Sequence, residues 1–246
     1  MKPRVIGLQG RRSLALLLGF LLLFVLAAMV GVYVQGHATR TPGGPALASK
    51  HPRVADQVGL IEYSKGFELA NQQPPNYEDA EKHLRVAIEH GMSSAQTELG
   101  WLYFRKALKT EGFERIRLYK AASELGNVMA AFNLGEMYFH GKGIWKDYHE
   151  AFKWLSLAAE QGDFNAQMYL GTMYGRGDLG LPRDDVQAYM WFNLAAAQDG
   201  HATELAAQRR EAVARGMSLT EIAEAQQLAR EWKPKPARQV ESVQPN

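Results

Sequence analysis

Residues 126–162 read GNVMAAFNLGEMYFHGKGIWKDYHEAFKWLSLAAEQG, and the marks they carry return on both sides. Ala130, Leu134, Gly135 and Tyr138 are matched by Ala95, Leu99, Gly100 and Tyr103 before them, and by Ala166, Leu170, Gly171 and Tyr174 after them. The steps are 35 and 36 residues, a period that marks an array of stacked supersecondary units. Within the stretch, Ala130, Leu134, Met137 and Tyr138 fall at i, i+4, i+7 and i+8, one apolar stripe of a helix. Ala151, Trp154, Leu155, Ala158 and Ala159 draw a second stripe at i, i+3, i+4, i+7 and i+8. Asp147 stands where an N-cap is needed, and Gly162 where a helix ends in a positive φ. Residues 140–146, HGKGIWK, supply the turn between the two.

Gly135 sits inside the first helix, where glycine costs about 1 kcal/mol against alanine. Its return as Gly100 and Gly171 predicts a close approach of a neighbouring helix at this place. One such pair cannot bury its own apolar faces, whereas a stack of pairs does so. The expected fold is therefore all-α: an α-solenoid of stacked helix-turn-helix repeats, with a single N-terminal transmembrane helix.

The pattern Leu134-Gly135-x-x-Tyr138-x-x-Gly141-x-Gly143-Ile144-x-x-Asp147-x-x-x-Ala151-x-x-Trp154-x-x-x-Ala158-Ala159-x-x-Gly162 resembles the Sel-one-like repeat, a relative of the tetratricopeptide repeat. Leu170, Gly171, Tyr174, Gly175, Gly177, Asp184, Ala188, Trp191, Ala195, Ala196 and Gly200 follow it closely, with Leu179 to Pro182 lengthening the loop. Residues 91–126 follow it more loosely, since Phe-Arg-Lys-Ala-Leu replaces the paired glycines after Tyr103. The resemblance covers residues 54–232. It implies partner binding rather than a reaction.

Leu14 to Val34 is a run of 21 residues without charge, preceded by Lys2, Arg4, Arg11 and Arg12. At 1.5 Å per residue a helix of this length crosses the hydrocarbon core of a bilayer. It reads as an uncleaved signal anchor with a cytoplasmic N-terminus (residues 1–13) and exported repeats. The competing reading is a cleavable signal peptide ending near Gly36-His37-Ala38, though the run exceeds the usual 7–15 residues. Residues 35–53, rich in proline and glycine, read as a flexible linker.

Residues 54–90 follow as a degenerate capping pair, with helices from Val58 to Ala70 and Tyr77 to Glu89 around Gln72-Gln73-Pro74-Pro75. Repeats occupy 91–126, 127–162 and 163–200, and capping helices 201–232 close the array. In the last of these, Ser218 and Glu221 form a capping box, and Ile222, Ala223, Ala225, Leu228, Ala229 and Trp232 form the inner face. Residues 233–246 read as a disordered tail.

Seven of the 28 basic residues precede Asp56 and none of the 26 acidic ones does, leaving 21 against 26 beyond it, a net of −5. The repeats thus lack the basic bias of a nucleic-acid binder, and no nucleic-acid partner is expected. There is no cysteine, which excludes disulfides, thiolate metal sites, cysteine nucleophiles and an N-terminal lipidated cysteine. It also sets the chain apart from the cysteine-rich branch of the resembled family.

H-E-x-x-H, P-loop, G-x-S-x-G and S-x-x-K motifs are missing from the sequence. Gly141-Lys142-Gly143 reads as the repeat turn. Glu136 and His140 share a helix face at i, i+4, but two ligands do not make a metal site. Asp184 aligns with Asp147, so the Asp184-Asp185 pair reads as a helix cap. Trp154 and Trp191 occupy equivalent core positions. No catalytic residue, cofactor or metal is expected.

By the resemblance, the first helix of each pair lines a concave groove. Counting from the recurring glycine, the positions three before, one after, four after and five after should face it. These are Thr97, Trp101, Phe104 and Arg105; Phe132, Glu136, Phe139 and His140; and Met168, Thr172, Gly175 and Arg176. Trp101, Phe104, Phe132 and Phe139 would take apolar side chains of a partner, and Arg105 and Arg176 carboxylates.

The expected function is a non-catalytic protein–protein interaction scaffold, tethered to a bacterial inner membrane through Leu14 to Val34. Its repeats would dock a protein or peptide of the cell envelope from the periplasm. Envelope assembly, export, motility and cell-wall regulation are the settings the resemblance suggests. The alternatives are a cell-wall-directed enzyme and a glycan-binding periplasmic protein.

Overall fold

The computed structural model describes residues 54–177, 179, 181–198, 200 and 203–236, all within the unit His51–Asn246. The run Leu14–Val34, the linker 35–53 and residues 237–246 lie outside the described residues. No helix among the described residues is long and apolar enough to cross a membrane.

The described residues form ten α-helices and no strand. They are α1 (Val54–Asn71), α2 (Tyr77–Glu89), α3 (Ser93–Ala107), α4 (Gly112–Glu124), α5 (Val128–His140), α6 (Tyr148–Glu160), α7 (Phe164–Arg176), α8 (Asp185–Ala196), α9 (Thr203–Ala214) and α10 (Leu219–Glu231). Each helix packs on the next from α1 to α9, and α10 also packs on α8, giving a solenoid closed by two helices on one.

Local chemistry sets the boundaries. Asn127 and Asp163 open α5 and α7 by accepting the amides of Ala130 and Ala166 at 2.9 and 2.8 Å. Asp147 opens α6 by accepting from His149 and Glu150, and Asp184 opens α8 by accepting from Gln187. Asp184 is thus a cap, and Asp185 is held by both Arg183 nitrogens at 2.9 Å. Gly141 and Gly177 close α5 and α7 in the left-handed region, which a side chain would disfavour. The Ser218–Glu221 capping box starts α10.

Close packing explains the recurring glycine. A Cβ on Gly135 would lie 2.7 Å from Leu155 Cγ and 3.0 Å from its backbone nitrogen. On Gly171 it would lie 2.7 Å from the Phe192 ring. Gly66, in α1, meets Leu84 in the same way at 2.8 Å, a fourth copy of the mark. Gly100 departs from the expectation: its nearest neighbour is Leu125 Cβ at 3.4 Å, an ordinary contact.

The core is a ribbon in two stretches. Leu84, Leu99, Leu102, Leu118 and Leu134 fill the first, which ends at Trp154. Leu155, Leu170, Met173, Met190 and Trp191 fill the second, against which Leu228, Ala229 and Trp232 of the last helix close. Ala223, expected on that inner face, is exposed. Trp154 and Trp191 are core residues, and Trp154 Nε1 donates to Glu150 at 2.9 Å.

The tail expected to be disordered from Lys233 is held at its start. Lys235 donates its backbone N–H to the Glu160 carbonyl at 2.7 Å, and its ammonium meets the Glu160 carboxylate at 3.0 Å. A carbonyl at the end of α6 has no partner within its own helix, so it is available for this bond.

Candidate interaction surface

The first helices of adjacent pairs touch through side chains. Arg105 of α3 donates to Asn71 Oδ1 of α1 at 3.0 Å. Tyr169 of α7 reaches back to α5, where it stacks edge-on against Phe139 at 4.9 Å and lies 6.0 Å from Phe132. Phe139 also meets Tyr148 and His140, at 5.4 and 5.0 Å. His140 Nε2 and Tyr169 Oη share a hydrogen bond of 2.8 Å. Glu136 lies 3.5 Å from the same hydroxyl and pairs with the Lys142 ammonium at 3.1 Å. Burial first, and the Glu136 charge second, push the Tyr169 hydroxyl above its ordinary range, so it stays a neutral donor. Phe132, Glu136, Phe139 and His140 are therefore one cluster, and Tyr169 is its centre.

The sequence register omitted Tyr169. The position two before the glycine is Glu98 in one repeat and Asn133 in another, and neither resembles an aromatic anchor. The only signal was that Tyr169 replaces a polar residue there.

Phe104 was placed on the surface and is not there. It is 6 % exposed and packs on Tyr119 at 5.9 Å, within the core. The reason is geometric: residues i and i+4 share a helix face. The glycine faces the second helix of its own pair, so the residue four after it faces that way too. Phe139 obeys the same rule and is only half-buried. Gly175 points its missing side chain at Ala188 and Val213, at 3.5 and 3.9 Å.

Trp101, one after the glycine, is 39 % exposed, its ring edge-on to Phe104 at 5.7 Å. Thr97 is exposed beside it. Arg105 is half-buried and engaged with Glu98 at 2.9 Å, so a partner's carboxylate would have to displace that glutamate. Met168 and Thr172 are half-buried, and the Thr172 hydroxyl donates to the Met168 carbonyl at 2.8 Å. Arg176 is exposed at the end of α7.

Glu136 and His140 face Lys142 and Tyr169 rather than a third ligand. Among the described residues no three His, Asp or Glu side chains converge as a metal site would require. Gly141-Lys142-Gly143 is a helix end and turn whose lysine is spent on Glu136.

The Sel1 repeat model matches residues 128–163 and 165–200. These two stretches are similar to Sel1 repeats. Each match starts at a first helix and spans its pair, so Gly135 with Leu155 and Gly171 with Phe192 are contacts inside single repeats. Chitin synthase regulatory factor 2 of Schizosaccharomyces pombe is 33 % identical over 113 residues, which are 45 % of this chain and 22 % of that protein. Protein sel-1 homolog 2 of Mus musculus is 37 % identical over 124 residues, 47 % of this chain and 18 % of that protein. The chain spans about a fifth of the length of these curated relatives. Among solved structures, a protective antigen of uropathogenic Escherichia coli displaying an SLR fold is 31 % identical, with a TM-score of 0.48 over 74 % of this chain and 39 % of that one.

Proposed function

We propose that this Sel1-repeat chain is a non-catalytic scaffold that docks a protein or peptide on the face lined by α3, α5 and α7. The observation that supports this reading most is the aromatic cluster that Tyr169 draws from two repeats, with Trp101 exposed on the same set of helices. Such rings are rigid, give large contact area and commonly anchor interfaces. Regulatory factors and sel-1 homologues among the relatives fit a scaffold better than a catalyst.

The setting proposed is a bacterial inner membrane, with Leu14–Val34 in the bilayer, the N-terminus cytoplasmic and the repeats in the periplasm with an envelope partner. It rests on the length of the uncharged run and the four basic residues before it.

The docking face is tested by placing a photo-crosslinking amino acid at Trp101 or His140, and at Lys120 on α4 for comparison, in the full chain in cells. One adduct of constant mass from Trp101 and His140, missing from Lys120, is expected. The same adduct from Lys120 alone would place docking on the second helices and overturn the proposed face.

A further inference from the structure

A cavity of about 760 Å3 lies away from the α3–α5–α7 face. It is a trough between the second helices α4 and α6, lined by Lys120, Ser123 and Glu124 on one side and by Lys153, Trp154 and Leu157 on the other. Lys235 and Pro236 close one end of it. The chain arrives there on a fixed course. Trp232 packs edge-on to Trp191 at 6.5 Å, and its ring comes within 4.0 Å of where a Cβ on Gly162 would sit. Lys235 is then held to the last residue of α6 by its backbone N–H and by its ammonium, a cation placed where the helix dipole favours one.

We propose that this trough is a peptide site whose resident ligand is the chain's own segment 233–246, seated in cis. Lys235 and Pro236 already enter it. Residues 237–246 read ARQVESVQPN. They offer Val240 and Val243 to a floor made by Trp154 and Leu157, with Arg238 and Glu241 to face Glu124 and Lys120. Lys120 has no acidic partner among the described residues, so Glu241 meets an unspent charge. The reach suffices. Packed helices lie about 8–10 Å apart, and four extended residues beyond Pro236 span about 13–14 Å. One backbone bond and one half-exposed ion pair make a weak hold, so a competing peptide of like chemistry can displace the segment.

The chain has no cysteine of its own, so an introduced pair reports without interference. Lys120→Cys is combined with Val240→Cys, and separately with Glu241→Cys so that a one-residue shift in register does not decide the result. Thr97→Cys with the same tail positions, on an exposed residue of α3, is the control. Under mild oxidation of the full chain, one Lys120 pair is expected to form a monomeric disulfide at least tenfold faster than its control. Glu160→Gln, which removes the ammonium's partner, slows that reaction several-fold. Equal rates for Lys120 and Thr97 overturn the proposal, because the segment then has no preferred seat. Disulfide-linked dimers overturn it also, by assigning the trough to the segment of a second copy. Lys120 and Thr97 are exposed, and unchanged helicity verifies that each variant is folded. The outcome does not depend on whether a partner docks on the first-helix face.

Discussion

Gly135→Ala and Gly100→Ala are the same change at the same place in two repeats, and the packing predicts opposite results. Both glycines lie inside helices, so alanine gains about 1 kcal/mol of helix propensity at each. At Gly100 the new methyl meets Leu125 Cβ at 3.4 Å and the Ala122 carbonyl at 3.6 Å, and nothing has to move. The gain is kept, and the variant melts higher. At Gly135 the methyl stands 2.7 Å from Leu155 Cγ and 3.0 Å from Leu155 N. The side chain is fully buried and the nitrogen is backbone, so α6 must shift away from α5. Overpacking of this kind costs about 1–3 kcal/mol, which cancels or exceeds the propensity gain. The two variants should therefore differ by about 1–3 kcal/mol, or roughly 2–12 °C in Tm for a domain of this size. Thermal unfolding followed by circular dichroism on otherwise identical proteins measures it. Gly135→Ala melting at or above Gly100→Ala would refute the close approach of α5 to α6.

Phe104→Ala should lose about 3–5 kcal/mol in denaturant unfolding as a core truncation, while Trp101→Ala changes stability by under about 1 kcal/mol; equal losses would undo the corrected register. The Tyr103 hydroxyl is pushed up to about 12, by burial first and then by its bond to Glu81. The folded state thus holds this proton more tightly than the unfolded chain, so its contribution is intact below pH 10 and fades as pH rises toward 12. Alkaline melting curves of Tyr103→Phe should lack that fall, and curves matching the parent's would assign it to other groups. A phosphatase reporter fused after Asn246 should be active only when exported; activity of a reporter that works only in the cytoplasm would overturn the proposed topology.

Helix pairing was legible because its causes are local. The 35- and 36-residue steps, the capping residues Asp147, Asp184 and Ser218, and the glycine ends are each a property of a few neighbouring residues. Variation between repeats was less legible. Gly66 carries the same close contact as Gly135, but Gln72-Gln73-Pro74-Pro75 stands where the paired glycines would be, and the mark passed unseen. Gly100 carries the mark without the contact. Its loop, Leu108 to Glu111, is shorter and lacks those glycines, and α4 presents Leu125 and Ala122 to it rather than a mid-helix leucine. The bond from Lys235 to Glu160 was beyond any periodicity, since it joins residues that no repeat relates.

The surface was legible in part, and the misplaced residue follows from the register itself. Once the glycine is known to face the second helix, the position four after must turn inward with it, and the position three before follows at Phe132 while Thr97 stays exposed. That moves Phe104 into the core and half-buries Phe132 and Phe139. The outward positions are then one and five after the glycine: Trp101 and Arg105, Glu136 and His140, Thr172 and Arg176. Most of their charges are already engaged within the chain, Arg105 by Glu98 and Glu136 by Lys142. A partner on this face must replace such pairs in kind, or leave them intact and gain its contact from Trp101 and the rim of the Tyr169 cluster. Charges arranged in this way discriminate between partners more than they add affinity. Under the proposed function, a ligand docked on this face has to match that polarity, while the contacts of Tyr169 with Phe132 and Phe139 tie α7 to α5 beneath it.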